Sequence, residues 1–242
     1  MKTLLPFLLI IFHSQCYTYT KKEATDCLSV VFDRSDTHQL VRQIVSNHIV
    51  SFLRVDTTDA NYLFGANVMF TSISDFRFGK KSTVRLNSVS LAESNINDRR
   101  KEINGFHSKL KQALKEYSIT VPPTSQSFVF YTLMRSLDEL ASCKECYTRK
   151  MVLISDAHDN TDTFSVFNNQ HIALMQNNPD SLERKLDVLY PVEHSLQGIE
   201  LIICHIPRSQ DEDYRFQIIT DFLKRYLSKK GITVVITTGI EA

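Results

Sequence analysis

The chain has 242 residues, of which 43% are hydrophobic and 23% are charged. This composition indicates a folded protein with a sizeable core and excludes a disordered or collagen-like chain. With 28 basic and 27 acidic residues the formal net charge is +1. No overall field attracts nucleic acid or an anionic membrane, so binding must depend on a local site.

The N-terminal residues are typical of a secretory signal peptide over 1–16. A basic residue, Lys2, precedes an apolar run at 4–12, and polar residues and Cys16 follow it. The run is too short to cross a bilayer as a helix. We therefore expect an exported protein with a linker at 17–24, a folded domain at 25–242 and no transmembrane segment in the mature chain. Cleavage after Ser14, cleavage after Cys16 and a lipid anchor on Cys16 are open alternatives.

The chain contains no Asn-x-Ser/Thr sequence, the acceptor of N-linked glycans. For an exported protein this absence favours a bacterial periplasm or cell envelope over a glycosylating pathway. A secreted and a lipid-anchored form are the alternatives.

Strands and helices alternate along the rest of the chain. In chain order the pattern predicts a strand at 27–32, a helix at 38–53, a hairpin of strands at 66–73 and 82–89, helices at 93–117 and 127–141, strands at 151–154 and 199–206, a helix at 214–227 and a strand at 232–236. Apolar strands separated by amphipathic helices are typical of a mostly parallel sheet with helices on both faces. We therefore predict a doubly wound α/β domain with six strands.

Polar residues follow two strands of this sheet. Asp33, Ser35 and Thr37 follow the first strand, and Asp156 follows the fourth. The segment Thr124 to Ser127 stands at the start of a predicted helix. Doubly wound sheets bind ligands at the carboxyl ends of their strands. Carboxylate and hydroxyl oxygens suit Mg²⁺ or Mn²⁺, so the pattern predicts a divalent metal site.

The run from Asp33 to Thr37 resembles the Asp-x-Ser-x-Ser/Thr motif of von Willebrand factor A domains, which opens their metal-ion-dependent adhesion site. The strand that ends at Ser155-Asp156 is similar to the fourth strand of that family and its Thr-Asp-Gly, although Ala157 replaces the glycine. The order of strands and helices, with an antiparallel edge strand, also matches that fold. The resemblance implies a metal site made by these ligands: Asp33, Ser35, Thr37, Ser127 and Asp156, the last through water. Thr124 and Ser125 are rivals to Ser127.

The resemblance implies a binding module rather than an enzyme. A metal held mainly by hydroxyls stays electrophilic and takes a carboxylate from a protein partner as its next ligand. A haloacid-dehalogenase-like phosphotransferase is one alternative, but such enzymes need an acid/base two residues after the first Asp, and Ser35 stands there. A metal-free structural scaffold with the same fold is the other. His158 is expected to be a solvated loop residue or to line the ligand face.

Four cysteines lie beyond the predicted signal peptide. Cys143 and Cys146 form a CxxC between a predicted helix and a predicted strand. This position does not fit a thioredoxin-like motif, and no second pair completes a zinc site. In an oxidising compartment structural disulfides are favoured, either from Cys27 to one of the pair or within the pair. Cys204, in an apolar strand, is predicted to be a buried thiol.

Overall fold

Six strands in the described residues form one sheet, in the order β3-β2-β1-β4-β5-β6. The strands are β1 (Thr25–Asp33), β2 (Gly65–Ile73), β3 (Lys81–Leu86), β4 (Cys146–Ile154), β5 (Ile199–Cys204) and β6 (Thr233–Thr237). Strand β1 runs parallel to both β2 and β4, and β3 pairs with β2 in antiparallel orientation. The predicted fold class is confirmed, including the antiparallel strand at one edge.

This computed structural model describes residues 24–33, 49–56, 61–73, 80–90, 95–117, 126–162 and 164–237. Outside the described residues lie the predicted signal peptide with Cys16, residues 17–23 of the predicted linker, most of the predicted helix at 38–53, Ser35, Thr37, Thr124 and Ser125. Within the described part of the chain, no helix combines the length and apolar character needed to cross a membrane.

The described helices cover both faces of the sheet. They are α1 (Ile96–Tyr117), α2 (Val129–Ser142), α3 (Asn169–Asn177), α4 (Pro179–Leu189) and α5 (Gln210–Ser228). Helix α1 packs against the face that includes Leu28 and Phe32 of β1, and the other four pack on the face that includes Val31. Alternate residues of β1 thus belong to two cores, as expected where neighbouring side chains point to opposite faces.

Several predicted boundaries were wrong. Residues 49–52, placed in the helix at 38–53, form a 3₁₀ turn instead. Strand β3 ends at Leu86 rather than 89, β5 ends at Cys204 rather than 206, and β4 begins at Cys146 rather than 151. Helices α3 and α4 were not predicted from the sequence. Their few apolar residues explain the omission, because α3 buries only Met175 among its nine residues.

Candidate functional site

Asp33 and Ser155 join the ends of β1 and β4 at the carboxyl edge of the sheet. Phe32 pairs with Ile154 in the parallel ladder, so the next residues of both strands leave the sheet side by side. The hydroxyl of Ser155 donates to Asp33 Oδ2 at 2.9 Å, and both residues are buried. The carboxylate that follows, Asp156, therefore lies at the same edge as Asp33.

His158 contacts both carboxylate oxygens of Asp156. The backbone amide of His158 donates to Asp156 Oδ1 at 2.9 Å, and His158 Nδ1 lies 3.1 Å from Oδ2. The His158 side chain is only 11% exposed, and its ring meets that of Phe167 edge-on at 5.4 Å. The expectation of a solvated loop histidine was wrong, because the turn after β4 folds His158 back onto the aspartate.

Ala157 shapes this turn. Its φ of 59° is in the left-handed region, and it is the one non-glycine residue with positive φ in the described part of the chain. The Ala157 amide donates to the Ser155 hydroxyl at 2.9 Å. That hydroxyl thus links the turn to Asp33. A left-handed residue at this position explains why a glycine fits well where this chain has alanine.

Ser127 reaches the same loop from another direction. Its backbone pairs with Asn160 in an isolated antiparallel bridge, with N–O distances of 3.0 and 2.9 Å. Ser127 therefore precedes helix α2 rather than belonging to it, which corrects the predicted helix start. Its Oγ is buried and has no hydrogen-bond partner among the described residues.

Asp159, which the sequence analysis did not select as a site residue, is fully buried beside these groups. Its Oδ2 accepts from the backbone amide of Phe130 at 2.7 Å, in the first turn of α2. The N-cap residue of α2, Phe128, has no capping side chain, so Asp159 supplies the acceptor from a distant loop. Burial raises the pKa of Asp159 to about 7, against the opposing effect of hydrogen bonds from Phe130, Thr161 and Val129.

Three of the five predicted ligands thus lie on segments that neighbour one another at this end of the sheet. Asp33 and Asp156 follow neighbouring strands, and Ser127 is bridged to the loop after Asp156. Ser35 and Thr37 lie outside the described residues. The donor set is made of hard oxygens, and the buried hydroxyl of Ser127 lacks a partner in the described chain. Both observations fit a Mg²⁺ or Mn²⁺ ion.

A different cluster lies at the opposite end of the strands, where β1 and β4 begin. Cys27 of β1, Cys143 after α2 and Cys146 at the start of β4 place their sulfur atoms within 4.8 Å of one another. In the described residues this is the one group of three or more His, Cys, Asp or Glu that could converge on a metal ion. Thiolates are soft ligands, so the cluster is not a magnesium site.

The geometry of this cluster allows both predicted kinds of disulfide, as alternatives that share Cys146. Cys146 is paired with Cys27 and also with Cys143, and the Cα–Cα distances of 5.5 and 5.7 Å suit either bond. Cys204 is a buried free thiol, as predicted, and burial raises its pKa to about 12.

No protein-family model matches the chain, and no curated protein is significantly similar to it. Among solved structures, the pilus adhesin SpaC from Lactobacillus rhamnosus GG, in its open conformation, is a distant neighbour. Its TM-score is 0.39 and its sequence identity is 10%. The likeness covers 88% of this chain but only 30% of SpaC. At this TM-score the neighbour assigns neither a family nor a function.

Proposed function

We propose that this chain is an exported binding module that uses a divalent cation to bind a carboxylate on a protein partner. The cation, Mg²⁺ or Mn²⁺, is held by Asp33, Ser35, Thr37, Ser127 and Asp156, the last through water. The observation that carries the proposal is the hydrogen bond from Ser155 to Asp33. It ties the ends of two neighbouring strands together, so that the carboxylates of Asp33 and Asp156 lie at one edge.

The chemistry of this edge favours binding over turnover. A cation with several hydroxyl ligands keeps much of its positive charge and binds an added carboxylate strongly. A phosphotransferase would need an acid two residues after Asp33, where this chain has Ser35.

Titration with Mn²⁺ of protein freed of metal by EDTA tests the proposal. Isothermal calorimetry measures the affinity, and thermal melting before addition of metal checks that each variant is folded. We expect Asp33→Asn to weaken Mn²⁺ binding at least tenfold, because a ligand charge is lost, and Ser127→Ala to weaken it less. The matched control is Asp162→Asn, which removes an exposed carboxylate that accepts from Gln126 at 3.0 Å in the same region.

Equal Mn²⁺ affinities for Asp33→Asn and Asp162→Asn would contradict the proposal, as would the absence of Mn²⁺ binding by the unmodified chain. A metal that binds only the folded state must also raise the melting temperature. Release of phosphate from p-nitrophenyl phosphate, abolished by Asp33→Asn, would instead support the phosphotransferase.

The partner and the compartment are tested separately. Immobilised protein should retain a partner in Mg²⁺ and release it in EDTA, and an excess of free glutamate should compete with that partner. The mass of the mature chain distinguishes cleavage after residue 14 or 16 from a lipid anchor on Cys16. An unprocessed N-terminus in the native host would refute export.

A further inference from the structure

The three clustered cysteines share one sulfur atom between two disulfide partners. Cys146 lies within bonding reach of both Cys27 and Cys143, and the sulfur atoms of those two are 3.5 Å apart. A sulfur atom forms only one disulfide bond at a time. One bond therefore leaves the third cysteine as a thiol next to that bond, which is the arrangement that thiol–disulfide exchange requires.

The cluster opens into a polar cavity of about 590 Å³. Cys27 and Cys143 both line this cavity, together with Asn67, Arg85 and Glu145. A volume of this size is within the range of sites for small ligands, roughly 300 to 1,000 Å³. Cys27 is 1% exposed, whereas Cys143 is partly exposed, so a ligand in the cavity reaches Cys143 more easily.

One arginine contacts the backbone of Cys143, and another lines the cavity. Arg149 Nη2 donates to the carbonyl oxygen of Cys143 at 3.0 Å, which brings a guanidinium beside that cysteine. Arg85 lines the same cavity and offers a partner for a carboxylate on the ligand.

We propose that Cys27, Cys143 and Cys146 form a thiol–disulfide exchange site whose ligand is the disulfide form of a small, carboxylate-bearing thiol. This site is separate from the proposed metal site, because it lies at the other end of β1, about 20 Å away at 3.3 Å per residue. Its failure would leave the proposed binding function untouched.

The internal step exchanges one disulfide for another. The Cys143 thiolate attacks the sulfur of Cys146, and the bond between Cys27 and Cys146 breaks. The electron pair leaves with Cys27, which takes up the proton that Cys143 released. The step consumes no oxidant, because one disulfide and one thiol are present before and after it.

The external step uses the ligand in its disulfide form. The thiolate of Cys143, when Cys27 and Cys146 are bonded, attacks one sulfur of that disulfide. A mixed disulfide forms on Cys143, and the other half of the ligand leaves as a thiolate. Oxidised glutathione, which carries carboxylates, is a suitable probe of this step.

Trypsin makes the two pairings easy to distinguish, because Lys144 separates the two cysteines of the CxxC. Cleavage places Cys27 on peptide 23–34, Cys143 on 136–144 and Cys146 on 145–149. The experiment uses the full chain with Cys16→Ser and Cys204→Ser, prepared without reductant, so that only the cluster reacts. One sample is quenched in acid at once, and another is first held at pH 8 with N-ethylmaleimide.

We expect both cross-linked pairs after the acid quench. Prolonged alkylation should convert the pool to the Cys27–Cys146 form with label on Cys143, since that thiol is the more exposed. With oxidised glutathione instead, one adduct should form, on Cys143. The variants Cys27→Ser and Cys143→Ser each keep one fixed disulfide and no free thiol in the cluster, so both should gain no adduct.

The proposal is overturned by a single pairing that alkylation leaves unchanged, by three labelled thiols and no disulfide, or by glutathione adducts in the Cys27→Ser and Cys143→Ser variants that equal those of the chain with all three cysteines. Each result is read directly from the peptide masses.

Discussion

The buried carboxyl group of Asp159 should make the stability of this protein fall as the pH rises. Its pKa is raised to about 7 in the folded chain, against 3.8 as the ordinary value. Between these two pH values the folded state holds a proton that the unfolded chain has lost. The free energy of unfolding therefore decreases from about pH 4 to about pH 7 and stays level, for this group, above that.

The size of the effect follows from the shift. About three pKa units at 1.36 kcal/mol each give roughly 4 kcal/mol, and relaxation of the buried group makes this an upper limit. The Asp159→Asn variant removes the titration while its amide oxygen can still accept from the Phe130 amide. Relative to the unmodified chain, the variant should gain up to this amount of stability between pH 4.5 and pH 8.

Urea unfolding at pH 4.5, 6 and 8, in EDTA, measures the difference. Asp162→Asn is the control, because it makes the same substitution at a nearby carboxylate that is exposed rather than buried. A pH dependence that is the same for Asp159→Asn and the unmodified chain would refute the reasoning. It would mean that Asp159 is ionised in the folded protein at neutral pH.

Arg54→Met should lower the free energy of unfolding, measured by urea titration, by roughly 3 kcal/mol. It removes the guanidinium that lies 2.7 Å from the buried carboxylate of Asp26. A loss below about 1 kcal/mol would show that this ion pair is not needed for stability. Without reductant, Cys143→Ser keeps the disulfide with a sequence separation of 119, whereas Cys27→Ser keeps the one with a separation of 3. The longer loop should make the first variant more stable by about 3 kcal/mol, from about 5 against about 2 kcal/mol of lost chain entropy; equal urea midpoints would contradict this. Gly231→Ala should cost about 1 to 2 kcal/mol in thermal unfolding, because φ is +83° and a Cβ would lie 3.0 Å from a neighbouring Cα; an unchanged melting temperature would refute it.

The sequence was sufficient to predict the sheet because β1, β5 and the second half of β4 are largely apolar runs. The strand predicted at 27–32 lies inside β1, and the neighbouring positions of β1 and β4 follow from the predicted topology. The first four residues after Cys146 are polar or aromatic rather than aliphatic, so the start of β4 was hidden. Helices α3 and α4 have few buried residues, although Asn178 followed by Pro179 is a local helix-start signal that could have identified α4.

The site was only partly predictable. The motifs predicted that Asp33 and Asp156 follow neighbouring strands, which requires only local patterns and a strand order. Asp159 contacts the Phe130 amide 29 residues earlier in the chain, and the neighbouring Asn160 forms a bridge with Ser127. Such tertiary contacts leave no periodic pattern in the sequence. The proximity of Cys27 to the CxxC was predictable from the strand order. The choice between the two pairings depends on tertiary geometry and was not predictable.

Helix α2 extends from the end of the sheet with the proposed metal ligands to the end with the three clustered cysteines. It has 14 residues and is therefore about 21 Å long. The carboxylate of Asp159 accepts a hydrogen bond from an amide in its first turn, and Cys143 is the residue after its last turn. Axial displacement of this helix must break the amide–carboxylate bond at one end. At the other end it is resisted by a covalent tether whenever Cys143 is bonded to Cys146, and it loses that restraint whenever Cys27 takes the bond.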